Sequence, residues 1–160
     1  MVSEKEFTKK ELQEETTKMA YLFGLLHYHY ARTLVKELGE KRGEDLIRKA
    51  IKAFAIDRGQ RMRRKALALG LKPTITNLKE VNDLPSYTFS REEKEKTICP
   101  LADAWQEKGE LGQVLGLIYC NINDPWKNKS FDEKANLWRY IKNRNLGDSF
   151  CDAVNVEYLE

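Results

Sequence analysis

An apolar pattern of helical period near the amino terminus constrains the fold more than any other feature of the sequence. Between Thr8 and Leu38, apolar side chains recur at spacings of three, four or seven residues: Leu12, Met19, Phe23, Leu26, Tyr30, Leu34 and Leu38. This spacing places them on one face of a helix, and Gly39 is a suitable residue to end it. The sequence therefore predicts a long amphipathic helix that must bury this face against other elements.

A second long helix is predicted from after Gly43 to Leu69, and its apolar stripe is interrupted by an arginine. Counting turns places Arg58 in the stripe between Phe54 and Met62. A buried guanidinium needs partners, so Arg58 is expected either to pair with an internal carboxylate or to bind a carboxylate or phosphate of a ligand. Both alternatives stay open, and Arg58 is a candidate substrate-binding residue.

The rest of the chain alternates extended and helical patterns. Short strands are predicted over residues 86–90 and 95–98, helices from Pro100 and over Leu111–Tyr119, and further strands over residues 134–142 and 149–158. We therefore expect an α+β fold in which a long N-terminal helical hairpin packs with an antiparallel sheet and further helices are inserted between the strands. Because the sequence has no linker or internal repeat, residues 1–160 are expected to form a single domain.

Composition favours a soluble globular protein. A hydrophobic fraction of 41% accompanies a charged fraction of 33%, and no uncharged run is long enough to span a bilayer. The net charge of +3 is too small to indicate nucleic-acid binding, and the basic cluster around Arg61–Lys65 lacks interleaved aromatic residues. We predict a cytoplasmic protein that binds a small molecule, with neither nucleic acid nor a membrane as partner, and a homo-oligomer stays open.

Two of the three cysteines lie in the stretch from Cys99 to Asp124, which begins with a helix start. Pro100 suits the first position of a helix, so Cys99 falls at or next to the N-cap, where the helix dipole favours the thiolate. Asp103 follows one turn later, and its carboxylate would raise the thiol pKa. A reactive thiol and a buried, inert cysteine are both compatible with this pattern.

The cysteines at positions 99, 120 and 151 form no CxxC pair, and their wide spacing is unlike that of compact metal motifs. We expect reduced thiols; a metal site made by the cysteines and His27 is a less favoured alternative, and no cofactor is assigned. His27 borders the apolar face of the first helix, and Trp105 lies on the helix that begins at Pro100. Both are candidates for contacts with a ligand.

Three cysteine-containing motifs occur in order along the second half of the chain. They are Cys-Pro-Leu-Ala-Asp-Ala-Trp at 99–105, Tyr-Cys with a later Asp at 119, 120 and 124, and Gly-Asp-x-x-Cys at 147–151. Together with a looser match at 43–51 and 58–59, they resemble the L-2-amino-thiazoline-4-carboxylic acid hydrolase family. After Asp124 the chain reads Pro-Trp-Lys-Asn-Lys-Ser-Phe, where the family usually has a Gly-Phe-Asn-Pro-like stretch.

The resemblance implies hydrolytic opening of a small cyclic amidine that bears sulfur, which gives N-carbamoyl-L-cysteine. Such chemistry needs a nucleophile, a proton shuttle and an anchor for the substrate carboxylate. The predicted catalytic residues are the cysteines and aspartates of these motifs: Cys99, Cys120, Cys151, Asp103, Asp124 and Asp148. Cys99 is the favoured nucleophile and Arg58 the favoured anchor. The alternative is a small-ligand binding or sensing domain without catalysis, because the layout also resembles the 4-vinyl reductase type of domain.

Overall fold

Helices follow one another along most of the chain in the computed structural model, which describes residues 7–84, 90–92, 96–123, 129–132, 138–148 and 151–155. Helix α1 spans Lys9–Leu38, α2 spans Glu40–Ala68, and a 3₁₀ turn at Ile75–Asn77 leads into α3 at Leu78–Val81. Strands β1 (Ser90–Glu92) and β2 (Lys96–Ile98) precede α4 (Pro100–Glu107) and α5 (Gly109–Asn123). Strands β3 (Trp138–Lys142) and β4 (Asp152–Asn155) flank a second 3₁₀ turn at Arg144–Leu146.

The predicted first helix is confirmed, but the prediction that its apolar face is buried is wrong. Six of the seven side chains of that face are 39–68% exposed: Leu12, Met19, Phe23, Leu26, Tyr30 and Leu38. The buried residues of α1 are Gly24, Tyr28 and Ala31, because α4 packs against the neighbouring stripe at Gly24.

The start of α1 is fixed by a capping box. The Thr8 side chain accepts a hydrogen bond from the Glu11 backbone N–H at 3.2 Å, and the Glu11 carboxylate accepts one from the Thr8 backbone N–H at 2.9 Å. Gly39 has a φ of +79°, which favours glycine, and it alone separates α1 from α2. The second helix begins at Glu40 rather than after Gly43, because a single glycine weakens a helix without ending it.

The main core lies between α1, α2, α4 and α5, and Trp105 of α4 stands at its centre. The Trp105 side chain is fully buried, and its indole Nε1 donates a hydrogen bond to the Gly24 carbonyl oxygen of α1 at 2.9 Å. On the other side, α5 presents Gly116, where a Cβ atom would lie 2.3 Å from Trp105 Cε3. A glycine is therefore required at position 116 for α5 to approach the indole.

A smaller core cluster holds the connector after α2 in place. Met62 and Ala66 of α2 are buried with Val81 of α3 and Phe131. The Asp132 carboxylate accepts a hydrogen bond from the Ile75 backbone N–H at 2.8 Å, which joins the first 3₁₀ turn to the residues around Phe131. These contacts bring residues 75–84 back along α2.

The predicted α+β fold is wrong, because the protein is mostly helical. Where the structure describes the chain, strands form only two separate two-stranded antiparallel ladders, β1–β2 and β3–β4. Every buried residue of the main core cluster comes from α1, α2, α4 or α5. Local alternation of apolar and polar residues also suits an isolated hairpin, and ladders of three to five residues are too short to provide a sheet against which a helical hairpin packs.

Parts of the strand prediction, residues 86–89, 95, 134–137, 149–150 and 156–158, lie outside the described residues. Within the described segments, no helix combines the length and the apolar character that crossing a bilayer requires.

We expect Gly116→Ala to lower the free energy of unfolding by about 1–3 kcal/mol, because the added methyl group must displace the buried Trp105 ring or shift α5. Urea denaturation followed by circular dichroism measures the change. The control is Asn121→Ala at an exposed position of α5, which should change the stability by less than about 0.5 kcal/mol. Equal effects of the two substitutions would show that the Trp105 contact does not limit the packing of α5.

Candidate functional site

A cavity of about 520 Å³ lies between the first half of α1 and the second half of α2, and α4 and α5 close it from the far side. Most of the described residues that line it are apolar: Met19, Ala20, Phe23, Phe54, Leu84, Leu101 and Tyr119. The polar lining residues are Glu15, Thr16, Arg58, Arg61 and Asp83. A mostly apolar cavity with a few charged groups is typical of a small-molecule site.

Arg58 is held by partners within the protein. The side chain is only 6% exposed, and its Nε and Nη2 atoms donate to the two carboxylate oxygens of Asp83 at 2.7 and 2.5 Å. The Nη1 atom donates to the side-chain Oδ1 and the main-chain oxygen of Asn123 at 2.7 and 3.3 Å. Of the two alternatives for Arg58, the structure therefore contains the pairing with an internal carboxylate. Its role as an anchor for the substrate carboxylate stays a prediction.

The bidentate pairing with Arg58 fixes the orientation of the Asp83 carboxylate. This carboxylate lies in the cavity lining and its side chain is 34% exposed, so it combines a fixed orientation with access to the cavity. Sequence reasoning missed Asp83, although the position of Arg58 in an apolar stripe demanded a carboxylate. The sequence signal identified the need for a partner but not which of the 25 acidic residues supplies it.

Arg61 lines the same cavity, less than one turn after Arg58. It is exposed, and its guanidinium forms no ion pair with any residue that the structure describes. The carboxylate of Glu15, on the α1 side, pairs with Lys18 of its own helix at 2.6 Å. The cavity thus offers a cation, Arg61, that remains available to an anionic ligand.

Trp105 belongs to the core, His27 is half-buried against it, and neither is part of the described cavity lining. The His27 ring lies 5.5 Å from the Trp105 ring and 5.1 Å from the Tyr119 ring, and its Nε2 is 3.1 Å from the Leu115 carbonyl oxygen. Burial lowers the pKa of His27, and the hydrogen bond to Leu115 only partly offsets this effect. The neutral ring, with Nε2–H as the donor, therefore fits its surroundings. Tyr119 connects this aromatic group to the cavity.

The second 3₁₀ turn contacts each of the three cysteines, Cys99, Cys120 and Cys151, and we call these three residues the thiol cluster. The Arg144 backbone N–H donates to Cys151 Sγ at 3.5 Å, and the Asn145 side-chain amide donates to Cys120 Sγ at 3.4 Å. The Arg144 guanidinium donates through Nη1 to the Cys99 carbonyl oxygen at 3.3 Å. Nothing in the sequence indicated a role for Arg144 or Asn145, because most of these contacts join segments far apart in the chain.

Cys99 occupies the N-cap position of α4, as predicted, but its environment does not favour the thiolate. Burial raises the pKa of the Cys99 thiol to about 11. The hydrogen bond from the Ala102 backbone N–H at the start of α4 lowers this pKa, as does Arg144, and Cys151 and Asp103 raise it slightly. The Asp103 carboxylate is engaged by Arg144, whose Nη2 donates to Oδ1 at 2.7 Å. At neutral pH the Cys99 side chain is therefore a protonated thiol.

The remaining predicted residues are placed as follows. The Asp148 carboxylate accepts a hydrogen bond from the Asn143 backbone N–H at 2.8 Å and so closes the turn. Asp124 lies outside the described residues. Within the described segments no group of three or more His, Cys, Asp or Glu side chains is arranged to hold a metal ion. None of the three cysteines belongs to the described lining of the cavity between α1 and α2. The predicted site residues therefore lie in two separate places, the cavity and the surroundings of the second 3₁₀ turn.

The family model described as L-2-amino-thiazoline-4-carboxylic acid hydrolase matches residues 16–154. This range includes the thiol cluster and every described residue of the cavity lining except Glu15. Searches of curated proteins and of solved structures give no significant match.

The lowered pKa of His27 predicts a pH-dependent stability. The unfolded chain protonates this residue near its ordinary pKa of 6.5, whereas the folded protein takes up the proton only at lower pH. The folded state should therefore lose stability as the pH falls from about 7.5 to about 5.5. We expect His27→Gln to show a weaker decrease in urea midpoint over this range, while His29→Gln, at an exposed position of the same helix, retains the wild-type decrease. An unchanged decrease in His27→Gln would assign the dependence to other groups.

Proposed function

The chain belongs to the L-2-amino-thiazoline-4-carboxylic acid hydrolase family, and we propose that it is a hydrolase that opens a small cyclic amidine in the cavity between α1 and α2. One observation carries this proposal: the cavity combines the fixed carboxylate of Asp83 with the available guanidinium of Arg61. An amino-thiazoline-carboxylic acid carries an amidine, which is cationic when protonated, and a carboxylate. Asp83 and Arg61 provide the complementary charges within mostly apolar walls.

In the proposed reaction, water adds to the amidine carbon between the ring sulfur and the ring nitrogen. Asp83 accepts a proton from the water as the carbon–oxygen bond forms. In the protonated amidine the ring nitrogen already carries its proton. The carbon–sulfur bond then breaks, the sulfur leaves with the bonding electron pair and takes up the proton held by Asp83, and the hydroxyl group releases its own proton to water as the carbon becomes a carbonyl. The sum is the addition of one water molecule without oxidation or reduction, and the product is an N-carbamoyl amino acid with a free thiol. Arg58 acts as a positioning residue because it holds Asp83.

The release of a thiol provides a direct test. We expect the protein to release thiol from L-2-amino-thiazoline-4-carboxylate. Asp83→Asn should lower kcat by roughly 100-fold or more, the usual contribution of a general base, in a protein that circular dichroism shows to be folded. The check is needed because the substitution removes the charged partner of Arg58. We expect Arg61→Gln to raise KM about 5- to 30-fold, which corresponds to about 1–2 kcal/mol for a partly exposed ion pair with the substrate carboxylate. The matched control is Arg64→Gln, an exposed arginine of the same helix that does not belong to the described lining.

Calorimetry separates the hydrolase proposal from the alternative of a binding or sensing domain. That alternative is favoured by one observation, namely that the described cavity lining contains no thiol. Binding of the amidine without thiol release, measured by calorimetry on the same preparation, would support the binding domain and contradict the hydrolase. Equal KM values for Arg61→Gln and Arg64→Gln would remove Arg61 from carboxylate recognition.

Nucleophilic attack by Cys99 stays a prediction from the sequence, and its burial and raised pKa favour attack by water instead. We therefore expect Cys99→Ser to retain at least about a third of the wild-type kcat/KM, because serine preserves the shape of a side chain that does not react. The measurement is the same thiol-release assay, with circular dichroism to check folding. A folded Cys99→Ser protein with a loss of more than about 100-fold would return Cys99 to the nucleophile role.

A further inference from the structure

The cavity is larger than a thiazoline ring requires. An amino-thiazoline-carboxylate has roughly nine non-hydrogen atoms, which fill at most about 270 Å³ even at the roughly 30 Å³ that a water molecule takes in the liquid. The cavity measures about 520 Å³. The cavity is open to solvent, so close to half of it would remain filled with water around such a ligand, and part of its apolar lining would stay uncovered.

The excess space is bordered by a wall of aromatic rings. The Phe23 ring centre lies 6.2 Å from that of Phe54 and 6.0 Å from that of Tyr119, so the three rings form one continuous surface. Phe23 and Phe54 remain 40% and 41% exposed, which is a large apolar area to leave in contact with water. A small zwitterion cannot cover this wall, whereas an apolar group of similar size to the rings can.

The aromatic and charged residues that α2 contributes to the cavity are ordered along the helix. Phe54, Arg58 and Arg61 follow one another at spacings of four and three residues, so they share a helix face. The available cation lies at one end of this row, the Asp83 carboxylate held by Arg58 lies in the middle, and the aromatic wall lies at the other end. The two ends are about 10 Å apart along the helix axis, at about 1.5 Å per residue.

From this order we propose that the cavity takes a carboxylic acid that carries an apolar group, about the size of a phenyl ring, at the end remote from the carboxylate. The proposal rests on the proposed function for the choice of the cavity as the substrate site. For a cyclic amidine, the apolar substituent is then attached on the side of the amidine that faces away from the carboxylate. The carboxylate pairs with Arg61, the amidine with Asp83, and the substituent covers Phe23 and Phe54.

Calorimetric titration with three simple probes tests the proposal without any need for turnover. The probes are propanoate, which lacks the ring, 3-phenylpropanoate, and 3-phenylpropanamide, which lacks the charge. We expect 3-phenylpropanoate to bind about 10- to 100-fold more tightly than propanoate, because the ring buries apolar surface against the aromatic wall. We expect it also to bind about 5- to 30-fold more tightly than the amide, because only the acid pairs with Arg61.

Two variants assign these differences to the named residues. Phe54→Ala should weaken binding of 3-phenylpropanoate by about 10-fold, while Leu46→Ala, a partly exposed apolar position of the same helix outside the described lining, leaves it unchanged. Arg61→Gln should bring the acid and the amide to equal affinity. Circular dichroism establishes that each variant is folded, and a Phe54→Leu variant, which keeps an apolar side chain, should retain most of the affinity if Phe54→Ala does not fold.

The outcomes distinguish this proposal from the hydrolase assignment. Equal affinities for propanoate and 3-phenylpropanoate would overturn the apolar substituent, whether or not thiol release from the thiazoline is observed. Tight, Phe54-dependent binding of 3-phenylpropanoate by a protein that releases no thiol would leave this proposal standing and overturn the hydrolase.

Discussion

The buried guanidinium of Arg58 is the interaction on which both the arrangement of the helices and the cavity depend. An unpaired charge in this position would cost several kcal/mol, so folding requires that its partners arrive in place. Those partners come from two distant segments, Asp83 after α3 and Asn123 at the end of α5. Because Arg58 lies on α2, one cation joins the connector and the last turn of α5 to the helical hairpin. The same contacts orient Asp83 toward the cavity, so the stability of the fold and the geometry of the site are coupled.

The cysteine motifs that carry the family resemblance lie in a different region of the structure, around the second 3₁₀ turn. Cys99, Cys120 and Cys151 surround the second 3₁₀ turn, where Arg144 and Asn145 donate to two sulfurs and to the Cys99 carbonyl oxygen. Their contacts join the β3–β4 ladder to α4 and α5, next to the buried Trp105. In the described structure these contacts join separate segments of the fold, and the catalytic roles of the three cysteines stay predictions. The cavity, to which α4 contributes Leu101, contains the exposed cation Arg61 and the accessible carboxylate Asp83. A motif that identifies a family need not be the motif that contacts its ligand.

Local signals account for what could be predicted from the sequence. The helical period of α1 and the helix start at Pro100 depend on residues within a few positions of one another, and both helices are confirmed. Which face of α1 is buried depends on the packing of α4, and that part of the prediction is wrong. The sheet was overpredicted because alternation is also local and does not reveal whether other strands are present to pair. The pKa of Cys99 shows the same limit: the helix dipole can be inferred from Pro100, but the burial that raises the pKa to about 11 comes from packing. The partner of Arg58 likewise required a contact across 25 residues of chain.

The internal pairing of Arg58 also determines which arginine meets a ligand. A guanidinium already bound to Asp83 and Asn123 has most of its donors in use, and moving it to a substrate carboxylate would leave Asp83 without its cation. Binding of a ligand carboxylate by Arg61 breaks no internal ion pair, because Arg61 is exposed and pairs with no residue in the described part of the chain. The two arginines on one face of α2 therefore differ in role. Arg58 is buried, stabilises the fold and fixes the Asp83 carboxylate. In the proposed function, the exposed Arg61 binds the substrate carboxylate. This difference explains why an arginine in an apolar stripe can be structural and yet mark the position of a binding cavity.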